Sequence, residues 1–433
     1  MNINDITVSI KSTLRDALKS LNFSGLEILF VVNGEMKLVG ILTDGDIRRA
    51  LLSGLKLDDD VIHAMNTNFV AMPFDSDNVS ILSNLSNSIK VIPLVDENNK
   101  LVDYASINKI RRISVASPVL SGNELPYVVD CIKTNWISSQ GKYVKQFEEM
   151  FKNYHKGREA LAVSNGTVAL HLALVVLGIG PGDEILVPNF TFAASVNAIL
   201  YTGAIPVLVD IDKKTWNIDE EKIEAKITPK TKGIMPVHIY GHPCDMSTLI
   251  KIADRYNLKI IEDCAEALGS MYKGEPVGCF GDVATFSFFG NKTITTGEGG
   301  MVLFKRQEDA AKAALLRDHG MQKDRRYWHQ FIGYNYRITN IQAAIGVAQM
   351  EQLEKFVAAK RQIAKRYNQV LNKIDFFETP VEKKDCINSY WLYTFLVKPN
   401  APFQRDDLIE FLSLQGIETR PVFFPIHMMP PYI

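Results

Sequence analysis

Short apolar runs bounded by turn residues alternate with longer segments that are apolar at helical spacing over most of the chain beyond residue 122. The runs at 161–163, 185–187, 204–209, 233–237, 259–263, 283–289 and 301–304 read as strands. Segments at 124–133, 143–154, 166–177, 246–256 and 353–371 read as helices. Strands alternating with helices predict a largely parallel sheet covered on both faces. Ligands in such sheets gather at the C-terminal strand ends, where Gly166, Phe192 and Asp263 fall. A strand over 391–397 and a helix over 405–414 predict a smaller C-terminal α+β lobe.

The first 112 residues carry a different pattern, and it repeats. Two strand-like runs, 28–32 and 38–42, flank a turn at Asn33-Gly34, and Thr43-Asp44-Gly45-Asp46 then opens a helix with acidic residues in its first turn. Runs at 91–95 and 101–106 repeat this around Glu97-Asn98-Asn99. Gly40, Thr43 and Asp46 fall on Asp103, Ser106 and Lys109, each 63 residues further on. A repeat of this kind predicts two copies of one small α/β unit. Residues 114–121 are small and include Pro118, as a linker would.

Bulk properties narrow the function. The chain has 433 residues, 46% of them hydrophobic, and a formal net charge of −1, so no global field draws it to nucleic acid or an anionic membrane. No apolar run approaches a membrane span, and the N-terminus lacks the pattern of a signal peptide. The five scattered cysteines, without a C-x-x-C pair, read as reduced thiols, and a cytoplasmic location is expected. His238 and His242 are four apart, but Gly241 between them and Pro243 after them break the helix that would bring them together. No metal site is expected.

The chemistry concentrates in Ser287-Phe288-Phe289-Gly290-Asn291-Lys292-Thr293-Ile294-Thr295-Thr296-Gly297-Glu298-Gly299-Gly300-Met301. A lysine carried between two buried strands loses solvation, and its amine becomes nucleophilic enough to form an imine with an aldehyde. The same lysine also suits a solvated hairpin turn, and this stretch alone does not separate the two. Ser164-Asn165-Gly166-Thr167, between a strand and an apolar helix, reads as an anion site at a helix N-terminus or as an ordinary N-cap. An imine lysine, a phosphate cradle and an aspartate at a strand end together fit pyridoxal phosphate.

Five stretches carry a specific resemblance. Ser164-Asn165-Gly166-Thr167, Glu262-Asp263-Cys264-Ala265-Glu266-Ala267-Leu268-Gly269, 287–301 and Gly333-Tyr334-Asn335-Tyr336-Arg337 resemble the DegT-type, fold-type I sugar-nucleotide aminotransferases, from about Leu120 onward. Gly40-Ile41-Leu42-Thr43-Asp44-Gly45-Asp46-Ile47-Arg48-Arg49 resembles a CBS-domain pair, the cystathionine-β-synthase-type module. The expected fold is therefore α/β: a fold-type I transferase with a mostly parallel sheet and a smaller α+β lobe over about 360–433, preceded by an α/β CBS pair. The expected boundaries are 1–112 for the CBS pair, 113–121 for the linker and 122–433 for the aminotransferase.

The resemblance implies roles for individual residues. Lys292 would hold pyridoxal 5′-phosphate covalently and later shuttle a proton. Asp263 would pair with the ring nitrogen, Phe192 would stack on the ring, and Glu266 would lie near its phenolic oxygen. Gly166, Thr167 and Ser287 would bind phosphate, with Asn335 reaching over from a partner subunit, so a homodimer with shared active sites is expected. Runs 291–300, Arg317-Asp318-His319-Gly320-Met321 and Arg326-Tyr327-Trp328-His329 resemble the GDP-perosamine synthase branch. That branch implies glutamate as amino donor and C4 of a 4-keto-6-deoxy sugar nucleotide as acceptor, in surface polysaccharide or O-antigen synthesis. A different keto-sugar, UDP- or dTDP-linked or a keto-sugar acid, is the alternative, as is a non-catalytic nucleotide-sensing protein. The CBS resemblance implies an adenine nucleotide at Thr43 and Asp46. In the second copy Asp103 and Lys109 replace Gly40 and Asp46, so at most one competent site is expected. The family's segment after Pro430-Pro431-Tyr432 is expected to be missing.

Overall fold

A computed structural model describes residues 3–24, 27–86, 89–106, 109, 113–322 and 324–433. They fall into two compact units: 1–115 with 403–420, and 116–402 with 421–433.

The first unit contains two three-stranded sheets of the same design. β1 (Thr7–Ser9) pairs parallel with β2 (Ile28–Val32), which pairs antiparallel with β3 (Leu38–Thr43). β4 (Met72–Pro73), β5 (Val91–Val95) and β6 (Leu101–Ser106) repeat the arrangement. The register repeats too. Ile28 faces Thr43 as Val91 faces Ser106, and each ladder slips at the same place, Val31/Val32 and Leu94/Val95. Phe30, Leu29, Leu42 and Ile47 are fully buried, and Leu101 and Tyr104 of the second copy join the same core. Neither copy buries its apolar face alone. β1 and the helix Leu14–Ser24 lie ahead of every element the sequence reading located, and the helix buries only Leu14, Ala17 and Leu21 among its apolar residues. The helix Arg405–Leu414 stands in this unit, and Ile113 exchanges backbone hydrogen bonds with Gly416 (2.8 Å) and Glu418 (2.9 Å) beyond it.

The second unit is built on a seven-stranded sheet. Its strands are β7 (Glu159–Val163), β8 (Glu184–Pro188), β9 (Ile205–Val209), β10 (Thr231–Ile234), β11 (Lys259–Asp263), β14 (Val283–Ser287) and β15 (Gly300–Phe304). The order is β7-β15-β14-β11-β10-β8-β9. β12 (Met271–Tyr272) and β13 (Glu275–Pro276) form a small separate sheet with Cys386–Ile387. Only β15 runs antiparallel within the large sheet. Both faces are covered, which is why the strands are apolar runs rather than alternating ones. Along β15, Val302 and Phe304 enter one core and Met301 and Leu303 the other, as the two-residue period requires. The helix Gly166–Val176 is apolar on nearly every side and is buried on nearly every side.

Three strands fall short of expectation, and the run at 283–289 is a strand only through Ser287. The one read over 233–237 is Thr231–Ile234; Pro236 has no N–H to continue the ladder. The one read over 391–397 shrinks to Leu396–Val397. Upstream, side chains take the carbonyls that a ladder would have used: Arg361 donates to Asn388 O (2.7 Å) and Lys360 to Trp391 O (3.0 Å). Tyr390 there has a left-handed φ of 49°.

Candidate active site

β14 and β15 are adjacent antiparallel strands, and the stretch between them carries Lys292. That stretch is not a solvated hairpin turn. Ile294 and Thr293, Thr295 and Thr296 are buried, and the Lys292 side chain is 13% exposed. Its amine lies 4.0 Å from Glu266 Oε1 and 3.8 Å from the centre of the Trp391 ring. Burial pulls the Lys292 pKa below that of an ordinary lysine, while Glu266 and Asp263 oppose the shift.

Asp263 ends β11, whose apolar residues bury it at 4% exposure. Its Oδ2 accepts from Ser195 Oγ (2.7 Å) and its Oδ1 from the Ala265 N–H (3.1 Å). Burial raises its pKa, opposed first by the Ser195 hydrogen bond. A buried carboxylate beside a lysine is suited to a cationic partner, which would favour its ionised form. Glu266 is equally buried, and its Oε2 accepts from the Tyr240 N–H (2.8 Å). Burial lifts its pKa to about 7, against the pull of Lys292.

Glu266 therefore penalises the folded state only when ionised. Its folded pKa lies above the unfolded value near 4.5, so the penalty grows as pH rises from about 4.5 to about 7 and then levels off. Glu266→Gln removes it. In urea unfolding of the cofactor-free chain, the variant should gain on the parent across that window, by on the order of 3 kcal/mol at its top. A stability difference that does not vary with pH would show that Glu266 is ionised throughout.

The residues expected to bind phosphate meet where β7 runs into the helix Gly166–Val176. Asn165 caps that helix by accepting from the Val168 N–H (3.0 Å), and Gly166 and Thr167 stand in the first turn, where no preceding helical carbonyl takes up the N–H groups. A Cβ on Gly166 would stand 2.7 Å from Ser287 Cβ, so only glycine lets the helix start approach the end of β14. Thus Gly166 and Ser287, far apart in sequence, meet. Phe192, at the start of the helix Ala193–Tyr201, is 60% exposed, and its ring is tilted by 53° to that of Phe423, with ring centres 5.8 Å apart. Asn335 is exposed; its Oδ1 accepts from Arg337 Nε (3.2 Å), and no hydrogen bond within the chain joins it to the other expected residues. Asn291 Oδ1, next to Lys292, is buried with no hydrogen-bond partner.

Sequence reasoning missed Ser195, Tyr240, Trp391 and Phe423. Tyr240 stacks on Trp391 (5.9 Å, 12°) and on Phe423 (5.4 Å, 16°), and holds a left-handed φ of 49°. Such a conformation in a bulky residue costs about 1 kcal/mol or more and needs tight surroundings to persist. Trp391 stands in the run read as a strand, but no motif marks any of the four as part of the site.

His238, Glu262 and Cys264 also come together in the interior. Their donor atoms are largely committed to the fold. His238 Nδ1 accepts from the Cys244 N–H (3.0 Å), so its proton is on Nε2, facing Glu262 Oε2 at 3.2 Å. Glu262 also accepts from the N–H groups of Gly278, Phe280 and Gly281. A cation there would have to displace these bonds.

A nucleophilic lysine, a buried carboxylate at a strand end and a helix N-terminus packed against a serine suit a cofactor with an aldehyde, a ring nitrogen and a phosphate. Residues 118–433 match the model of the DegT/DnrJ/EryC1/StrS aminotransferase family, and residues 1–53 match the CBS domain. The chain belongs to that aminotransferase family. It is accordingly a pyridoxal-phosphate-dependent aminotransferase that also carries a CBS domain.

The chain is 50% identical over 327 residues to the GDP-perosamine synthase of Caulobacter vibrioides, a match covering 75% of this chain and 88% of that one. It is 50% identical over 323 residues to the GDP-perosamine synthase of Escherichia coli O157:H7, covering 75% and 88%. Among solved structures, S. venezuelae DesV in complex with a ketimine intermediate superposes with a TM-score of 0.68 at 34% identity, covering 72% of this chain and 82% of that one. Among the described residues, no helix is long and apolar enough to cross a membrane.

Proposed function

We propose that the chain moves the amino group of glutamate to C4 of a 4-keto-6-deoxy sugar nucleotide, as a perosamine-forming enzyme would. The observation that carries this reading is the buried Lys292 set among Glu266 and Asp263, in a chain 50% identical over 75% of its length to two GDP-perosamine synthases. When bound, pyridoxal phosphate supplies an aldehyde that takes up amino groups and a ring that draws electrons from the neighbouring carbon. The remaining roles belong to this chain. Lys292 holds the cofactor and, once free, moves a proton at its Nζ. Asp263, steadied by Ser195, keeps the ring nitrogen protonated. Gly166, Thr167 and Ser287 hold the phosphate, Phe192 covers one ring face, and Glu266 faces the phenolic oxygen. The test is a panel of keto-sugar nucleotides with glutamate, read by mass spectrometry. Amination of the GDP-linked 4-keto-6-deoxy sugar ahead of UDP- and dTDP-linked analogues is expected; preference for another nucleotide would move the assignment within the family.

The active unit in this reading is a homodimer, with Asn335 completing the phosphate site of the partner. Asn335→Ala should leave the dimer intact by light scattering and weaken cofactor retention on dialysis by roughly tenfold, as for one lost hydrogen bond to a charged group. A fully active monomer would refute shared sites.

For the first unit, the proposed ligand is an adenine nucleotide at the first copy. Thr43 and Asp46 already serve the fold: Asp46 Oδ2 accepts from the Thr43 N–H (2.9 Å), Thr43 Oγ1 accepts from the Asp46 N–H (3.2 Å), and Asp46 Oδ1 pairs with Arg49. In the second copy Asp103 and Lys109 form an ion pair, with Lys109 over the Tyr104 ring at 3.5 Å. The two departures from the first copy thus neutralise each other. Calorimetry of the full chain with AMP and ATP should show one site per chain; Asp46→Asn, which keeps a capping group, should weaken it. No heat at millimolar nucleotide would contradict the reading.

A further inference from the structure

We infer that Trp391 is a positioning residue for Lys292, providing the surface on which the free amine rests while it carries a proton. This rests on the reading of Lys292 as the cofactor lysine. Trp391 meets the lysine at two points. The amine lies 3.8 Å from the centre of the indole ring, and the indole Nε1–H donates to the carbonyl of Asn291 (2.7 Å), the residue before Lys292. One side chain therefore holds both the backbone at the base of the lysine and the charge at its tip.

The indole is itself fixed. Trp391 is 5% exposed, and its ring is stacked on Tyr240. Its carbonyl accepts from Lys360 Nζ (3.0 Å), on the helix Leu353–Leu371. An indole face attracts an ammonium group but offers a neutral amine no hydrogen-bond acceptor, so it favours the protonated form without tethering it. A carboxylate in that place would hold the proton more tightly. The charged groups that act on the amine are Glu266 at 4.0 Å and Asp263 on β11; on the Trp391 side, the Tyr240 ring is stacked on the indole and Lys360 is on the Trp391 carbonyl. The two carboxyl groups act on Lys292 through charge, and Trp391 acts through its ring quadrupole and by excluding water.

The test uses full-length enzyme converted to its amino form with excess glutamate, which leaves Lys292 free. Competitive acetylation with acetic anhydride over a pH series, read by mass spectrometry on the Lys292 peptide, reports the amine pKa. Trp391→Leu keeps an apolar cap without a π face; the pKa should fall by about one unit. In turnover, kcat should drop roughly tenfold with KM for glutamate unchanged. Trp391→Phe, which keeps a ring face, should recover most of the pKa. An unchanged pKa in Trp391→Leu overturns the inference. If that variant does not fold, Trp391→Phe decides: it keeps the ring face and lacks only the Nε1 donor to Asn291, and a Lys292 pKa that falls by a full unit in it overturns the inference as well. Failure of the underlying reading looks different, because borohydride would then not fix the cofactor to Lys292 in the unmutated enzyme.

Discussion

Lys292→Ala is expected to abolish transamination, by at least about four orders of magnitude, while the protein still folds cooperatively. The size follows from the two roles proposed for the lysine, covalent attachment and proton movement. Among the described residues, Lys360 is directed to the carbonyl of Trp391 and not to the place of the Lys292 amine. The fold should survive because Lys292 is a partly desolvated cation whose burial opposes its charge. With the amine gone, Glu266 loses the charge that pulls its pKa down and remains protonated more readily. Turnover is measured with glutamate and keto-sugar nucleotide without added amine, and folding by thermal melting. Near-parent turnover would remove Lys292 from the chemistry.

Asp263→Asn is expected to cut turnover by roughly a hundred- to a thousandfold with cofactor still bound, corresponding to about 3–4 kcal/mol. An amide is the same size and can still accept from the Ala265 N–H. It cannot carry the charge that keeps a ring nitrogen protonated. The Ser195 hydroxyl, which now donates to Asp263 and contacts Thr191 Oγ1 at 2.9 Å, can turn to either neighbour, so the local packing should hold. Absorbance checks occupancy and steady-state kinetics checks turnover. Unchanged turnover at full occupancy would contradict the role given to Asp263.

Much of this site is legible along the chain because its parts are local. Asp263 follows the strand Lys-Ile-Ile-Glu, Gly166 follows a strand and opens an apolar helix, and Lys292 lies between two runs that are buried on both faces. Each signal is a change from one hydrophobic period to another, with a polar or glycine residue at the change. The duplication in the first unit is legible for the same reason, and its 63-residue offset returns in the strand register down to the slip in each ladder.

What escaped is non-local or irregular. Ser195 reaches Asp263 across 68 positions, and Trp391 lies 100 positions from the Asn291 carbonyl it holds. Near Trp391 the backbone is satisfied by Lys360 and Arg361 side chains instead of a ladder, so an apparent strand dissolves. The helix Arg405–Leu414 has the bounds its pattern predicts, yet that pattern places it in a C-terminal α+β lobe, whereas in the structure it groups with residues 1–115.

The sequence by itself determined most strands and helices beyond residue 122, the duplicated module and the place of Lys292 between two buried strands, because periodicity and the breaks in it are written in neighbouring residues. The tertiary structure alone decided that Lys292 is enclosed rather than solvated, that Glu266 and the Trp391 ring are what enclose it, and that Tyr240 is held at a left-handed φ between Trp391 and Phe423. Those outcomes depend on which distant surfaces meet, and burial, the main cause of the pKa shifts of Lys292, Asp263 and Glu266, exists only once they have met.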